Sequence, residues 1–277
     1  MKYGFVLPDL DIMTAPELAE EAEAAGWDAV FIPDCISIET PSYPAGPASD
    51  PWVTLAAMAM RTSRVRLGPM VAAAPRRRPW KLAREVATLD HLSNGRMILP
   101  IGVGAASDDA GFREVGEMMG LRERAEMLGE TIEILDGLWS GEPFSYAGMH
   151  YTIGRMTQLP PPVQRPRVPI WPVGVWPAEA SLRRALRWDG IVPQRKGGRV
   201  KPEDVPAIRE RANRVRPGVP FDIIAEGVTP GDNPAAAQAQ VRAWEEAGAT
   251  WWVESLWSEH TSATVRARIR KGPPRTP

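Results

Sequence analysis

An α/β fold of the (β/α)8 TIM-barrel type, in one domain spanning residues 1–277, is predicted by three features of the chain. Eight short apolar runs alternate with helix-like or loop segments from one end to the other. The phrases EAEAAGWDAVFI (21–32) and AWEEAGATWWVE (243–254) share one grammar of acidic helix end, Ala-Gly stop and apolar strand, as two copies of a barrel unit would. A length of 277 residues suits one such barrel and is short for two domains.

The first strand is YGFVL (3–7), closed by Pro8-Asp9. Thr14-Ala-Pro-Glu17 has capping-box spacing, and the helix after it stops at Gly26, which takes a left-handed conformation readily. AVFIPD (29–34) is the second strand. A loop rich in Pro, Ser and Gly (36–50) leads to the helix PWVTLAAMAMRTS (51–63). VRLGPMV (65–71) is the third strand, and Pro79 opens a helix with Leu82, Val86 and Leu89 on one face. MILPIGV (97–103) is the fourth.

Residues 105–168 read as a rim insertion and connector between strands four and five, and within them Leu121, Ala125, Leu128, Ile132 and Leu135 form the apolar stripe of a long helix. PIWPVGV (169–175) is strand five, PAEASLRRALR a helix, and DGIVPQ (189–194) strand six. A polar segment (197–220) carries another helix. FDIIAEG (221–227) is strand seven. Asn233-Pro234 starts a helix with Ala237, Val241 and Trp244 inward, ending at Gly248. TWWVESL (250–256) is strand eight, and 271–277 reads as a flexible tail.

Composition limits the function classes. A net charge of −1 supplies no basic field for nucleic acid or acidic membranes. One cysteine, Cys35, excludes an internal disulfide framework and fits a reducing compartment. The N-terminus lacks the pattern of a signal peptide and no run approaches a membrane span, so a cytoplasmic location is expected. No metal-ligand spacing and no Gly-x-Ser-x-Gly elbow occurs.

Gly102-Val103-Gly104 suggests a dinucleotide fingerprint, but Ser107 stands where the third glycine belongs and no periodic helix follows directly. On a barrel the same glycines sit at the rim of strand four, where a flat ligand approaches the backbone or small residues simply relieve crowding.

RRRPWKLAREVATLDHLSNGRMILPIGVG (76–104), then GFREVGE and LRERAEMLGETIEILDGLWSGEPFSYAGMHY (111–151), resembles the luciferase-like monooxygenase superfamily. The order carries the likeness: Leu-Ala-Arg-Glu, Leu-Asp-x-Leu-Ser-x-Gly-Arg, Gly-Val-Gly, Leu-Trp-x-Gly, Gly-x-His-Tyr, with PIWPVGVWPAEASLRRALRWDGIVP (169–193) after the connector. The resemblance implies a barrel that binds FMN or the deazaflavin coenzyme F-420 at its C-terminal mouth. It implies a bulge with a non-prolyl cis peptide at Val71-Ala72-Ala73, under one face of the ring. It places Gly102 and Gly104 at the cofactor, and the phosphate at Gly174-Val175-Trp176, where Val175 departs from the family's Gly-Gly. Arg76 to Arg78, Arg183 and Arg184 are candidate cations or merely a solvated face. A small-molecule substrate, a separate flavin reductase and a homodimer are further expectations from the likeness.

Catalytic candidates are Asp34, Cys35, Glu226 and Glu254. Asp34-Cys35 replaces the Asp-His frequent in the family, so Cys35 is either a weak acid or nucleophile or a small buried residue. Glu226 and Glu254 close strands seven and eight, and indoles at Trp251, Trp252 and Trp257 would desolvate a carboxylate and suit it to general acid work; a salt bridge to arginine is the alternative. Asp108 and Asp109 are further rim acids. His91 reads as structural, His150 with Tyr151 as positioning the connector, and His260 as facing mouth or solvent. Trp52, Trp176 and Trp257 fall at the rim; Trp80, Trp139 and Trp244 lie on outer helices.

Three functions follow. The first is a monooxygenase using reduced FMN and O2 on a small organic substrate in a dry pocket. The second is an F-420-dependent reductase or dehydrogenase that transfers hydride. The third is a flavin- or ligand-binding barrel without catalysis. The first is favoured by its prevalence among similar proteins, and loops 35–50 and 105–120 would select the substrate.

Overall fold

The computed structural model describes residues 1–8, 12–36, 48–104, 112–113, 115–118, 120–257 and 261–275. Ser107, Asp108, Asp109, Met119 and His260 lie outside the described residues.

Each apolar run becomes a strand of one parallel sheet. The strands are β1 (Lys2–Val6), β2 (Ala29–Ile32), β3 (Arg66–Pro69) with β4 (Ala72–Ala73), and β5 (Leu99–Gly102). After the hairpin β6 (Phe144–Ala147) and β7 (Thr152–Met156) come β8 (Ile170–Trp176), β9 (Gly190–Arg195), β10 (Asp222–Gly227) and β11 (Trp251–Ser255). The order is β3-β2-β1-β11-β10-β9-β8-β5-β4. The Met70–Val71 peptide bond, between β3 and β4, is cis. Those two segments act as one strand. β2 pairs with β3 and β5 with β4, and a Leu67–Met97 bridge with Ile98 N–H donating to Leu67 O at 2.9 Å joins the two edges. An eight-stranded barrel results, as the sequence predicts.

Helices α1 (Ala15–Ala24), α2 (Pro51–Arg61), α3 (Pro79–Leu92), α4 (Leu121–Trp139), α5 (Glu179–Ala185), α6 (Val205–Val215), α7 (Pro234–Ala247) and α8 (Ser262–Arg270) surround it. Local chemistry explains their ends. Asp50 accepts the N–H groups of Trp52 and Val53 to start α2, and Asn233 accepts from Ala236 N–H to start α7. Gly26 and Gly248 end α1 and α7 with φ of +87° and +102°, a region glycine enters without a Cβ clash. The capping box expected at Thr14 is corrected: Thr14 is itself helical and its side chain makes no capping bond.

Two apolar cores result, because strand side chains alternate. Inside the barrel lie Phe31, Met70, Ile98, Trp171, Trp251 and Val253, among others. Between strands and helices lie Leu18, Leu55, Val86, Leu128, Ile132 and Trp252. Trp139 donates its indole N–H to Ala83 O at 3.0 Å, fixing α4 to α3.

Two elements go beyond the sequence reading. The connector folds as the antiparallel pair β6–β7, clamped to α4 by Glu130, which accepts from the N–H groups of Met149, His150 and Tyr151. His150 Nε2 also lies 3.1 Å from Glu126 of α4. Helix α8 follows β11, and the segment read as a tail lies against the start of the barrel through Arg275, which donates to Gly26 O at 2.7 Å and stacks on Tyr3. Among the described residues no helix is long and apolar enough to cross a membrane.

Candidate active site at the barrel mouth

The C-terminal ends of the strands form the mouth, and side-chain alternation decides what faces it. Val71 and Val173, both half-buried, pack against the inner core, and Val175 is two residues further on the same face of β8. Gly102 lies between the first two. A β-carbon there would sit 2.9 Å from Val173 Cγ2 and 3.6 Å from Val71 Cγ1, so the missing side chain lets the valines form a level apolar floor. Ala72 and Ala73, expected at the ring face, are both buried: Ala72 belongs to the core between strands and helices, and the Ala73 β-carbon lies 3.5 Å from where a β-carbon on Gly104 would stand. Gly104 has φ +82°, and a β-carbon on it would meet the Phe112 ring at 2.6 Å.

Asp34 is an anchor. Its carboxylate accepts from Ala73 N–H at 3.0 Å, Arg76 Nη2 at 3.0 Å and Arg77 Nη2 at 2.9 Å, and its carbonyl takes a further bond from Arg76 at 2.7 Å. Its side chain is only 3% exposed. The residue expected among the catalytic groups thus ties the end of β2 to β4 and the turn Ala74–Arg76. Arg76 and Arg124 both stack on Phe112, at 5.1 and 4.6 Å, and Arg77 stacks on Trp52 at 5.1 Å. Burial pulls the Arg76 guanidinium below its ordinary pKa, and Asp34 opposes that shift. Cys35, beside this cluster, is half-buried and within electrostatic reach of Arg76.

Two guanidiniums therefore pair with one anchored carboxylate, Arg124 joins Arg76 on the Phe112 ring, and Glu117 is a further acid acting on Arg76. Sequence reasoning missed Arg124, although the signal was present. It lies four residues before Leu128, on the apolar stripe of α4, where a charge needs a reason to be.

Glu254 is corrected. Its neighbours Trp251 and Val253 point into the barrel, so Glu254 points outward with Trp252. It is fully buried, accepts from Thr229 N–H at 2.8 Å and Trp252 Nε1 at 3.0 Å, and pairs with Arg268 of α8 at 3.3 Å. The alternative of a salt bridge to arginine is the one realised, and its carboxylate is turned away from the mouth. Trp176 is corrected in the same way. Its ring faces α6, with Arg211 stacked at 5.2 Å, and it hydrogen-bonds Asp204.

A β-carbon on Gly174 would strike Ile191 at 2.4 Å and Ala185 at 3.3 Å, so this glycine serves the packing of α5. The Val175 N–H donates to Ser181 Oγ at 3.0 Å, and α5 has only seven residues, so the helix start expected to cradle phosphate has its leading donor already used. Of the nearby arginines, Arg183 is exposed, while Arg184 is half-buried with its pKa lowered by burial and Nη1 on Ala125 O at 3.3 Å.

Glu226 does face the mouth, two residues beyond inward-pointing Ile224. It is exposed and accepts the Trp257 indole N–H at 2.5 Å. Gln194 projects from the same inward face of β9 as Val192. A small pocket lined by Leu7, Ile12, Leu18, Ile32, Pro33 and Thr54 adjoins the ends of β1 and β2. Among the described residues no group of acidic, histidine or cysteine side chains is arranged to hold a metal.

A parallel eight-stranded barrel with an apolar floor and cationic flank at its C-terminal mouth is a form suited to a flat anionic cofactor. The family comparison agrees. Residues 7–272 match the model of the luciferase-like monooxygenases, and the chain belongs to that family. Sequence relatives include an uncharacterized protein of Mycobacterium tuberculosis, 32% identical over 220 residues and 74% of each chain. The F420-dependent glucose-6-phosphate dehydrogenase of Nakamurella multipartita is 32% identical over 177 residues, 64% of this chain and 50% of the relative. The oxygenase component of a flavin-dependent trigonelline monooxygenase from Acinetobacter baylyi is 30% identical over 155 residues, 56% of this chain and 41% of the relative. The same fold occurs in the monooxygenase RslO1 of Streptomyces bottropensis, with TM-score 0.77, 20% identity and 98% and 97% of the two chains covered. It occurs also in the F420-dependent tetrahydromethanopterin reductase of Methanopyrus kandleri, with TM-score 0.74, 17% identity and coverage of 98% and 96%.

Proposed function

We propose that this chain is a flavin-dependent oxidoreductase that uses reduced FMN and O2 to oxygenate a small organic substrate, supplied with reduced flavin by a separate reductase. The observation that carries the reading is the floor of Val71, Val173 and Val175 beside the Arg76–Arg124 cluster. The valines and Gly102 offer a level apolar surface for a tricyclic ring and keep water from it. The guanidiniums offset negative charge on the ring or its phosphate side chain. Reduced FMN, when bound, supplies the electrons for oxygen activation. The protein's part is to bind and orient the ring, exclude water, and present Glu226 and Gln194 to the substrate from the opposite side.

The F420-bearing relative makes the deazaflavin the competing cofactor. It would occupy the same floor and transfer hydride without oxygen. Parallel fluorescence titrations of the purified protein with FMN, reduced FMN and the deazaflavin separate the two. The expected result is saturable binding of reduced FMN. Binding of the deazaflavin alone overturns the oxygenase reading, and binding of none makes this a barrel without redox function.

A further inference from the structure

The loop after β8 is poorly made to hold an anion with its backbone. Pro177 has no N–H, the Val175 N–H is taken by Ser181 Oγ at 3.0 Å, and the Ala178 N–H by Val175 O at 2.8 Å. Positive charge reaches this sector of the mouth from α5 instead. Arg184 lies one turn beyond Ser181, and helical side chains lean toward the helix N-terminus, which for α5 is the end beside the mouth. Its guanidinium extends to the start of α4, where Nη1 makes a long bond to Ala125 O at 3.3 Å. Its Nε is buried and has no hydrogen-bond partner, and among the described residues no carboxylate pairs with it. Other arginines withdrawn from solvent are satisfied within the fold. Arg96 donates to the carbonyls of Ala59, Thr62, Val65 and Ser93 at 2.6–3.0 Å, and Arg209 to those of Phe221 and Gly248 at 2.7 and 2.8 Å. Arg76 and Arg268 have Asp34 and Glu254. A half-buried guanidinium with an unmade bond and no counter-charge costs stability, so its position between α4 and α5 calls for an anionic guest.

We propose that Arg184 is the residue that binds the phosphate ester of the cofactor, with its side chain taking over from the backbone donors that the loop after β8 has already committed. A guanidinium matches phosphate geometry with paired N–H bonds, and the unpartnered Nε supplies one of them. Arg124 stands next to Ala125, the residue that accepts the Arg184 bond, and is itself held on Val103 O and the Phe112 ring. It adds positive field at the same place while keeping those contacts, so Arg184 is the direct ligand. The valine at position 175, where the family resemblance leads one to expect glycine, fits this arrangement: its N–H is tied to Ser181, and the charge comes from the side. The shared chemistry is a phosphate ester, the monoester of FMN or the diester of the deazaflavin. The assignment rests on the barrel being a flavin-type oxidoreductase.

The test compares FMN with riboflavin, which lacks the phosphate, in calorimetric and tryptophan-fluorescence titrations of the full-length protein. The same pair of titrations is run with the deazaflavin and its phosphate-free chromophore. The phosphorylated ligand is expected to bind more tightly by about tenfold or more, with a preference that weakens as salt is added. Arg184→Met keeps an apolar stem between α4 and α5 and should abolish most of that preference while leaving riboflavin binding unchanged. Arg184→Lys should retain part of it, and Arg183→Met, at the exposed neighbour, all of it. Riboflavin binding also checks that each variant is folded. Equal binding of FMN and riboflavin by the parent protein, a preference that survives Arg184→Met, or an equal loss of both ligands in that variant overturns the proposal and leaves the flavin reading standing. An Arg184-dependent preference seen only with the deazaflavin pair upholds the proposal and overturns the oxygenase reading. Binding of none of the four ligands overturns both.

Discussion

Glu254→Gln removes a charge from a side chain with no solvent exposure, opposite Arg268, which is 8% exposed and has its one ion pair among the described residues with Glu254. Glutamine keeps an acceptor for the Thr229 N–H but turns an NH2 group toward donors on Trp252 and Arg268. The buried guanidinium then has no counter-charge, and breaking a buried pair by removing one partner costs about 3–5 kcal/mol. For a chain of this size that loss lowers Tm by about 6–20 °C. Arg268→Met added to Glu254→Gln removes the stranded charge as well, so the double variant should lose less than the sum of the two single losses. Urea and thermal unfolding measure the stability, and flavin titration of the folded protein measures the mouth. The expected pattern is a large stability loss with flavin affinity unchanged. If Glu254→Gln unfolds like the parent protein while its turnover collapses, the carboxylate acts in the reaction and the outward assignment is wrong.

Two further expectations concern the floor and an acid-sensitive joint. Gly102→Ala puts a methyl 2.9 Å from Val173 Cγ2 and forces that valine to shift, at a stability cost of about 1–3 kcal/mol. Flavin affinity should fall about tenfold as the floor loses its level surface, and an unchanged Kd would show that the ring lies elsewhere. Glu23 binds the chain between α2 and β3, accepting from Ser63 and Val65 N–H at 3.0 and 2.9 Å and also from Arg64 N–H. Burial pushes its pKa up, but these hydrogen bonds outweigh burial and hold it below the ordinary carboxylate value. A depressed folded-state pKa gives stability that is fully present above the unfolded-state value and lost as pH falls through the folded-state value. Glu23→Gln should therefore cost about 1 kcal/mol at neutral pH and almost nothing once the carboxyl of the parent is protonated. Urea midpoints that differ equally at both pH values would refute this.

The eight strands were legible because strands of a parallel barrel are buried on both faces and read as continuous apolar runs, of which AVFI and WWV are examples. The same property hid the direction of each side chain. Trp251 and Trp252 are equally apolar, yet one plugs the barrel and the other meets α7 through Trp244. Glu226 and Glu254 stand alike near the ends of their strands, but one looks over the mouth and the other is locked behind the sheet. The hairpin β6–β7 escaped notice because it is short and mostly exposed, with little apolar alternation, and it depends on the Glu130 clamp from α4. Helix α8 is rich in arginine, so its few buried residues, Val265 and Ile269 among them, gave little periodic signal.

By itself the sequence determined the barrel, the family likeness and the position of the mouth, because burial of the strands and the glycines and prolines at their ends are local properties. Tertiary structure decided which acids face the mouth, that Asp34 is an anchor, and that Arg124 joins the rim. Those outcomes depend on register and on side-chain direction relative to a closed sheet. A shift of one residue exchanges the two faces, and only the closure of the barrel makes one face interior and the other exterior.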